Sequence, residues 1–139
     1  MSVLSEFDFS AVRKPVLEAE SLPPFCYTDQ AFFDREMSRI FRKSWLYVCR
    51  EEKIPTPGDY FVIDMLGMSV IMTRSEEGKV NAFHNLCSLR GAHMLDGSGN
   101  ARMIRCPYHS WCYDTNGRLV RAPDMEKTGN FDHVKNGLQ

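Results

Sequence analysis

At 139 residues the chain is long enough for one domain with a core of its own and short for two. Its apolar (43%), aromatic (12%) and charged (25%) fractions sit near globular averages, which excludes collagen-like, coiled-coil and wholly disordered readings. A net charge of -1 supplies no global positive field for nucleic acid or anionic lipid, and the longest apolar stretch, YFVIDMLGMSVIM, is broken by Asp64 and Gly67 well short of the ~20 residues of a membrane span.

The first residues, MSVLSEFDFSAVRKP, carry early acidic side chains and no basic start followed by an apolar run, so they do not read as a secretory signal. A reducing cytoplasm is the expected compartment. Residues 1–27 hold Pro15, Pro23 and Pro24 without a stable period and read as an extended arm. From Thr28 the pattern changes. Thr28 can cap a helix, Asp29 suits its positive end, and Phe33, Met37, Ile40 and Phe41 recur at helical spacing, which predicts one amphipathic helix from Asp29 to Lys43. Arg39, Arg42 and Lys43 read as its solvated face.

Beyond SWLYVCR the period shortens. Short β-branched and aromatic runs alternate with turn residues at Pro57-Gly58, Gly67 and Glu76 to Gly78, a meander of antiparallel strands. A further strand is expected around Arg102 to Arg105, and YDTNGRLV reads as a hairpin whose Asn116-Gly117 turn joins Tyr113 to Leu119 and Val120. The predicted fold class is therefore mainly β with one N-terminal α-helix. The expected organisation is an arm (1–27), a helix (28–44), a β domain (45–125) and a tail (126–139).

Cys26, Cys49, Cys87, Cys106 and Cys112 are an odd set without the density of a disulfide scaffold, which directs attention to metal binding. Cys26 and Cys49, among aromatic and aliphatic neighbours, read as small buried hydrophobes. Two loops carry the chemistry. CPYHSW, Cys106 to Trp111, offers a thiolate and, three residues on, the imidazole of His109, in a turn stiffened by Pro107. CSLRG offers Cys87 and, two residues on, Leu89.

Taken together, AFHNLCSLRGAHML and IRCPYHSWCYDTNGRLVRAPDM resemble the Rieske iron–sulfur domain of ring-hydroxylating and related non-haem oxygenases. The likeness covers residues 28–125. The family's pattern is Cys-x-His, a spacer, then Cys-x-x-His, with two cysteines on one iron and two histidines on the other. Cys87, Cys106 and His109 match it, as do the flanking Phe83, Asn85, Arg90, Gly91, Pro107, Tyr108, Trp111, Tyr113, Asp114 and Gly117. The resemblance implies a small antiparallel β-sandwich and a [2Fe-2S] cluster on Cys87, Cys106 and His109. It also implies electron transfer from a reductase or ferredoxin to a mononuclear Fe(II) in a larger catalytic domain of the same family, in a monooxygenase or dioxygenase. His109 is then the retained histidine through which an electron leaves.

Leu89 stands where the family has its first histidine, and leucine cannot bind iron. Three accounts stay open: a substituted variant of an ordinary Rieske protein, a domain whose cluster is lost or altered, and a substitute ligand such as His93. Cys112 adds an alternative, a zinc site of Cys87, Cys106, His109 and Cys112. His84 reads as a hydrogen-bonded strand end, and His133 has no assigned role. No two-histidine, one-carboxylate triad follows Asp124, so the expectations divide between an electron-transfer module and a cluster-free interaction module. An end at Gln139 would bare apolar surface and favour self-association. The stretch from LPPF to RAP somewhat resembles the subgroup acting on quaternary amines such as glycine betaine and choline.

Overall fold

Asp29 decides where the main helix begins. In the structure, a computed structural model that describes residues 8–139, its carboxylate accepts the Phe32 N–H at 2.8 Å, while the Thr28 hydroxyl donates to the Pro24 carbonyl at 3.2 Å. The cap is therefore Asp29 and not Thr28, because an ionised carboxylate serves the positive end of a helix better than a hydroxyl. Thr28 instead closes a short helix, α1 (Phe25–Thr28), which begins within the expected extended arm and ends one residue beyond it. The main helix, α2 (Gln30–Arg39), stops before Lys43. Ile40 distorts the ladder and Phe41–Lys43 form a 3-10 turn. α2 buries none of its residues, and Arg39, Arg42 and Lys43 are exposed. The reading of residues 1–7 as the start of a leaderless arm lies outside the described residues.

These elements belong to the first of two units, Met1–Tyr47, and the second is Val48–Gln139. The second is built from antiparallel strands. β1 (Asp59–Met65) and β2 (Met68–Arg74) pair from Tyr60↔Thr73 to Met65↔Met68, joined by Leu66 and Gly67, both at positive φ. That two-residue turn matches the twist of the flanking strands. β3 (Val80–His84) pairs with β2, and β4 (Ser98–Asn100) with β1, giving the order β3-β2-β1-β4. β5 (Met103–Arg105), β6 (Cys112–Asp114) and β7 (Leu119–Arg121) form a second sheet in sequence order, with a bulge at Cys112/Tyr113.

The core lies where the sheets meet: Ile71 from β2, Ile104 from β5, Tyr113 from β6 and Leu119 from β7 join Cys87, Met94, Cys106, Trp111 and Ala122. Each large apolar side chain fully buried there contributes about 1.5–3 kcal/mol relative to exposure. The sheets are also pinned by hydrogen bonds, since Thr115's carbonyl accepts from Thr73 Oγ1 at 2.9 Å and from Asn81 Nδ2 at 3.1 Å. Gly117, at φ +79°, lies against the Phe83 ring, and a Cβ there would sit 2.5 Å from a ring carbon. Buried Arg74 ties the segment before β1 to β2. Its Nε donates to the Ile54 carbonyl at 2.8 Å, and its guanidinium pairs with the Glu51 carboxylate.

Candidate metal centre

The two Cys loops are built alike. The Cys87 N–H donates to the Ala92 carbonyl and the Gly91 N–H to the Cys87 carbonyl, both at 2.8 Å. One loop over, the Cys106 N–H donates to the Trp111 carbonyl at 2.8 Å and the Ser110 N–H to the Cys106 carbonyl at 3.1 Å. The fifth residue of each loop takes positive φ, Gly91 at 66° and Ser110 at 61°. Glycine holds that conformation without strain, whereas Ser110 pays for it and is held by Arg105, whose guanidinium donates to its hydroxyl at 2.7 Å. β3 leads into the first loop, and β5 and β6 flank the second.

This pairing places Cys87 and Cys106 in one buried core cluster, at 3% and 1% exposure. Against Cys87 lies Tyr113, one of the residues that match the Rieske pattern, although nothing in the sequence pointed to its hydroxyl. That hydroxyl is 3.3 Å from Cys87 Sγ and accepts the Ser88 N–H at 3.2 Å, which leaves its own hydrogen free for the sulfur. Burial pushes the Tyr113 phenol above its ordinary pKa, with the Cys87 contact adding to it. Burial likewise raises the Cys106 thiol.

The other candidates separate. His109 is exposed, its ring against that of Tyr108 with centroids 3.9 Å apart. Leu89 is half-buried and packs on the core cluster that holds both cysteines. His93 is exposed, beyond the hydrogen bond that closes the first loop at Ala92. Cys112 turns its sulfur to the Ser110 carbonyl at 3.3 Å and does not complete a zinc set. Among the described residues no three His, Cys, Asp or Glu side chains gather closely enough to hold one metal ion. A two-iron cluster asks for only two protein ligands at each iron. Cys26 is buried as expected, but Cys49 only partly.

His84 ends β3, and its N–H donates to the Gln139 carbonyl at 2.7 Å. The tail that read as weakly patterned packs on this unit. Phe131 meets Trp111 edge-on at 5.4 Å, the Leu138 N–H donates to the Gly117 carbonyl at 2.7 Å, and Ser88 Oγ donates to the Gly137 carbonyl at 3.0 Å. His133, without an assigned role from sequence, lies edge-on to Phe131 and 3.3 Å from the Leu119 carbonyl. Among the described residues no helix is long and apolar enough to cross a membrane.

Comparison with known proteins agrees with this architecture. A family profile described as the Rieske [2Fe-2S] domain matches residues 44–132. The carnitine monooxygenase oxygenase subunit of Escherichia coli K12 is 36% identical over 85% of this chain and 32% of its own length. Chloroplastic choline monooxygenase of Spinacia oleracea is 35% identical over 99% of this chain and 30% of its own. The chain thus spans about a third of the length of these curated relatives. Among solved structures, the apo quaternary ammonium Rieske monooxygenase CntA superposes with a TM-score of 0.82 at 32% identity, over 86% of this chain and 35% of that one. Naphthalene 1,2-dioxygenase with bound indole gives 0.77 at 31% identity, over 83% and 26%.

Proposed function

Because this chain belongs to the Rieske [2Fe-2S] domain family, as the N-terminal domain of the ring-hydroxylating oxygenase α subunits, we propose that it is an electron-transfer domain whose cluster-binding set is incomplete at Leu89. In this family such a domain carries single electrons on its cluster. Cys87 and Cys106 would hold one iron, and His109 would be the sole protein ligand of the other. The observation that carries this reading is the pair of like-built loops whose two thiols are buried in one core cluster, with the Tyr113 hydroxyl on Cys87 and His109 on the second loop.

The donor set fits three of the four positions of a Rieske cluster and does not fit the fourth. Leu89 offers a branched alkyl group already packed on the core, and His93 lies beyond the hydrogen bond that closes the first loop. We therefore expect a labile cluster, or none, in this chain.

The donor to such a domain is a reductase or ferredoxin, and the acceptor is a mononuclear iron in a catalytic domain of the same family. The likeness to carnitine and choline monooxygenases favours a quaternary amine as the substrate of the assembled oxygenase over an aromatic ring. Five free thiols suit a reducing compartment, the cytoplasm. A cluster-free module, the second reading, draws on the same leucine and on how completely the sheets and tail build a core without metal.

The test is iron and acid-labile sulfide analysis with visible absorption on the chain purified anaerobically. Substoichiometric iron and sulfide that bleach on dilution are expected. A full, lasting complement would overturn the incomplete-set reading, and zinc without sulfide would replace it with a zinc site.

A further inference from the structure

We infer that Asn136 is a site of spontaneous deamidation, and that its conversion releases the tail's hold on the loop that carries Cys87. The chain contains two Asn-Gly pairs, Asn116-Gly117 and Asn136-Gly137. In such a pair the glycine, having no side chain, lets its amide nitrogen reach the asparagine side-chain carbon and follow the backbone through closure of a five-membered ring. By sequence the two pairs are alike. The structure separates them.

Asn116 is held at both ends of its amide and at its nucleophile. Its Nδ2 donates to Glu77 Oε2 at 3.2 Å, its Oδ1 accepts from Asn81 Nδ2 at 3.3 Å, and the Gly117 N–H donates to the Asp114 carbonyl at 2.9 Å. Gly117 is also buried against the Phe83 ring. Asn136 is held at one end only. Its Nδ2 donates to the Asp132 carbonyl at 2.7 Å, while among the described residues neither its Oδ1 nor the Gly137 N–H has a hydrogen-bond partner. It follows the exposed His133, Val134 and Lys135 and, with Lys135 and Gly137, lines an open cleft of about 430 Å³, so water reaches it.

The reaction needs only this water. The Gly137 nitrogen, giving up its proton, attacks Asn136 Cγ; the new N–C bond closes a succinimide, the Cγ–Nδ2 bond breaks, and ammonia leaves. Water then adds to one of the two ring carbonyls and opens the ring, which leaves either an aspartate or an isoaspartate whose main chain runs through the side-chain carbon. One amide and one water become one carboxylate and one ammonium, and nothing is oxidised or reduced.

The product matters because of what Gly137 holds. Its carbonyl accepts from Ser88 Oγ at 3.0 Å, next to Cys87, and the two residues after it make the Leu138 N–H to Gly117 carbonyl and His84 N–H to Gln139 carbonyl bonds, both at 2.7 Å. An isoaspartate adds one carbon to the main chain just before Gly137 and shifts these three contacts out of register. No metal ligand takes part in the reaction, so the inference stands apart from iron and sulfide content.

The experiment incubates the full chain, folded and in urea, side by side in mildly alkaline buffer with a reductant, digests it in acid, and quantifies the two Asn-Gly peptides by mass and by isoaspartyl methyltransferase labelling. In urea the two sites should convert at comparable rates. In the folded chain each extra hydrogen bond slows ring closure by about fivefold on its net worth, so Asn136 should convert at least about tenfold faster than Asn116. In the isoaspartate form, hydrogen exchange at the amides of residues 87–91 should quicken by about fivefold, the loss of one such bond, whereas Asn136→Gln protein aged in the same way should keep its protection. Equal conversion of the two sites in the folded chain, no conversion at Asn136, or unchanged exchange at the Cys87 loop of the converted protein would each overturn the inference.

Discussion

Replacing Leu89 by histidine tests the chemistry of the two loops at its weakest point. Leu89 is half-buried against the cluster of residues that includes both cysteines. Full burial of such a side chain is worth about 1.5–3 kcal/mol, so with most of that surface covered Leu89→His should cost folding roughly 1–2 kcal/mol. Against this stands a gained metal–nitrogen bond. If the ~10–16 kcal/mol of a four-ligand structural site is shared evenly, one ligand is worth roughly 3 kcal/mol, a factor of about 100 or more in retention. The gain exceeds the loss, so the variant should fold less well without metal and hold its cluster far longer. The assay is parallel anaerobic reconstitution with iron and sulfide, followed by metal analysis, the dissociation rate in chelator and the spin-resonance spectrum of the reduced protein. Leu89→His should give near-stoichiometric iron and sulfide and the spectrum of mixed nitrogen and sulfur ligation. Equal cluster content and equal loss rates in the two proteins would refute the reasoning, because Leu89 would then not be what limits the site.

Two further substitutions probe the frame around the thiols. Tyr113→Phe removes the partner of the part-buried Ser88 N–H and of Cys87 Sγ, and should lower stability in urea denaturation by about 1 kcal/mol without changing the fold. An unchanged midpoint would show that neither contact matters. Gly117→Ala places a Cβ 2.5 Å from the Phe83 ring at φ +79° and should cost at least ~2 kcal/mol. Adding Phe83→Leu should recover the steric part of that loss, and failure to recover any of it would leave only the backbone strain.

Much of this fold was legible because its signals are local. Turn residues at Gly67, Glu76 to Gly78 and Asn116-Gly117 punctuate β-branched and aromatic runs, and the strands appear between them. Cys87, Cys106 and His109 stood out because their spacing resembles a known ligand pattern, and Leu89 because it breaks that pattern. Where two neighbours compete for one role, as Thr28 and Asp29 do for the cap, local signals fail, since the winner is set by which side chain reaches the free N–H groups.

What only the tertiary structure decided depends on partners far apart in the chain. Ser98–Asn100 has little strand propensity and becomes β4 because the exposed edge of β1 supplies its hydrogen bonds. The tail after Asp124 has no period to read, yet Phe131, Gly137 and Leu138 find Trp111, Ser88 and Gly117, surfaces that exist only once both sheets have formed. The contact of Cys87 with Tyr113 spans 26 positions. No periodicity encodes that distance, and the packing of one sheet on the other closes it: the sequence alone determined which residues are able to bind metal, and the fold determined which two thiols are buried in one core and which hydroxyl lies against Cys87.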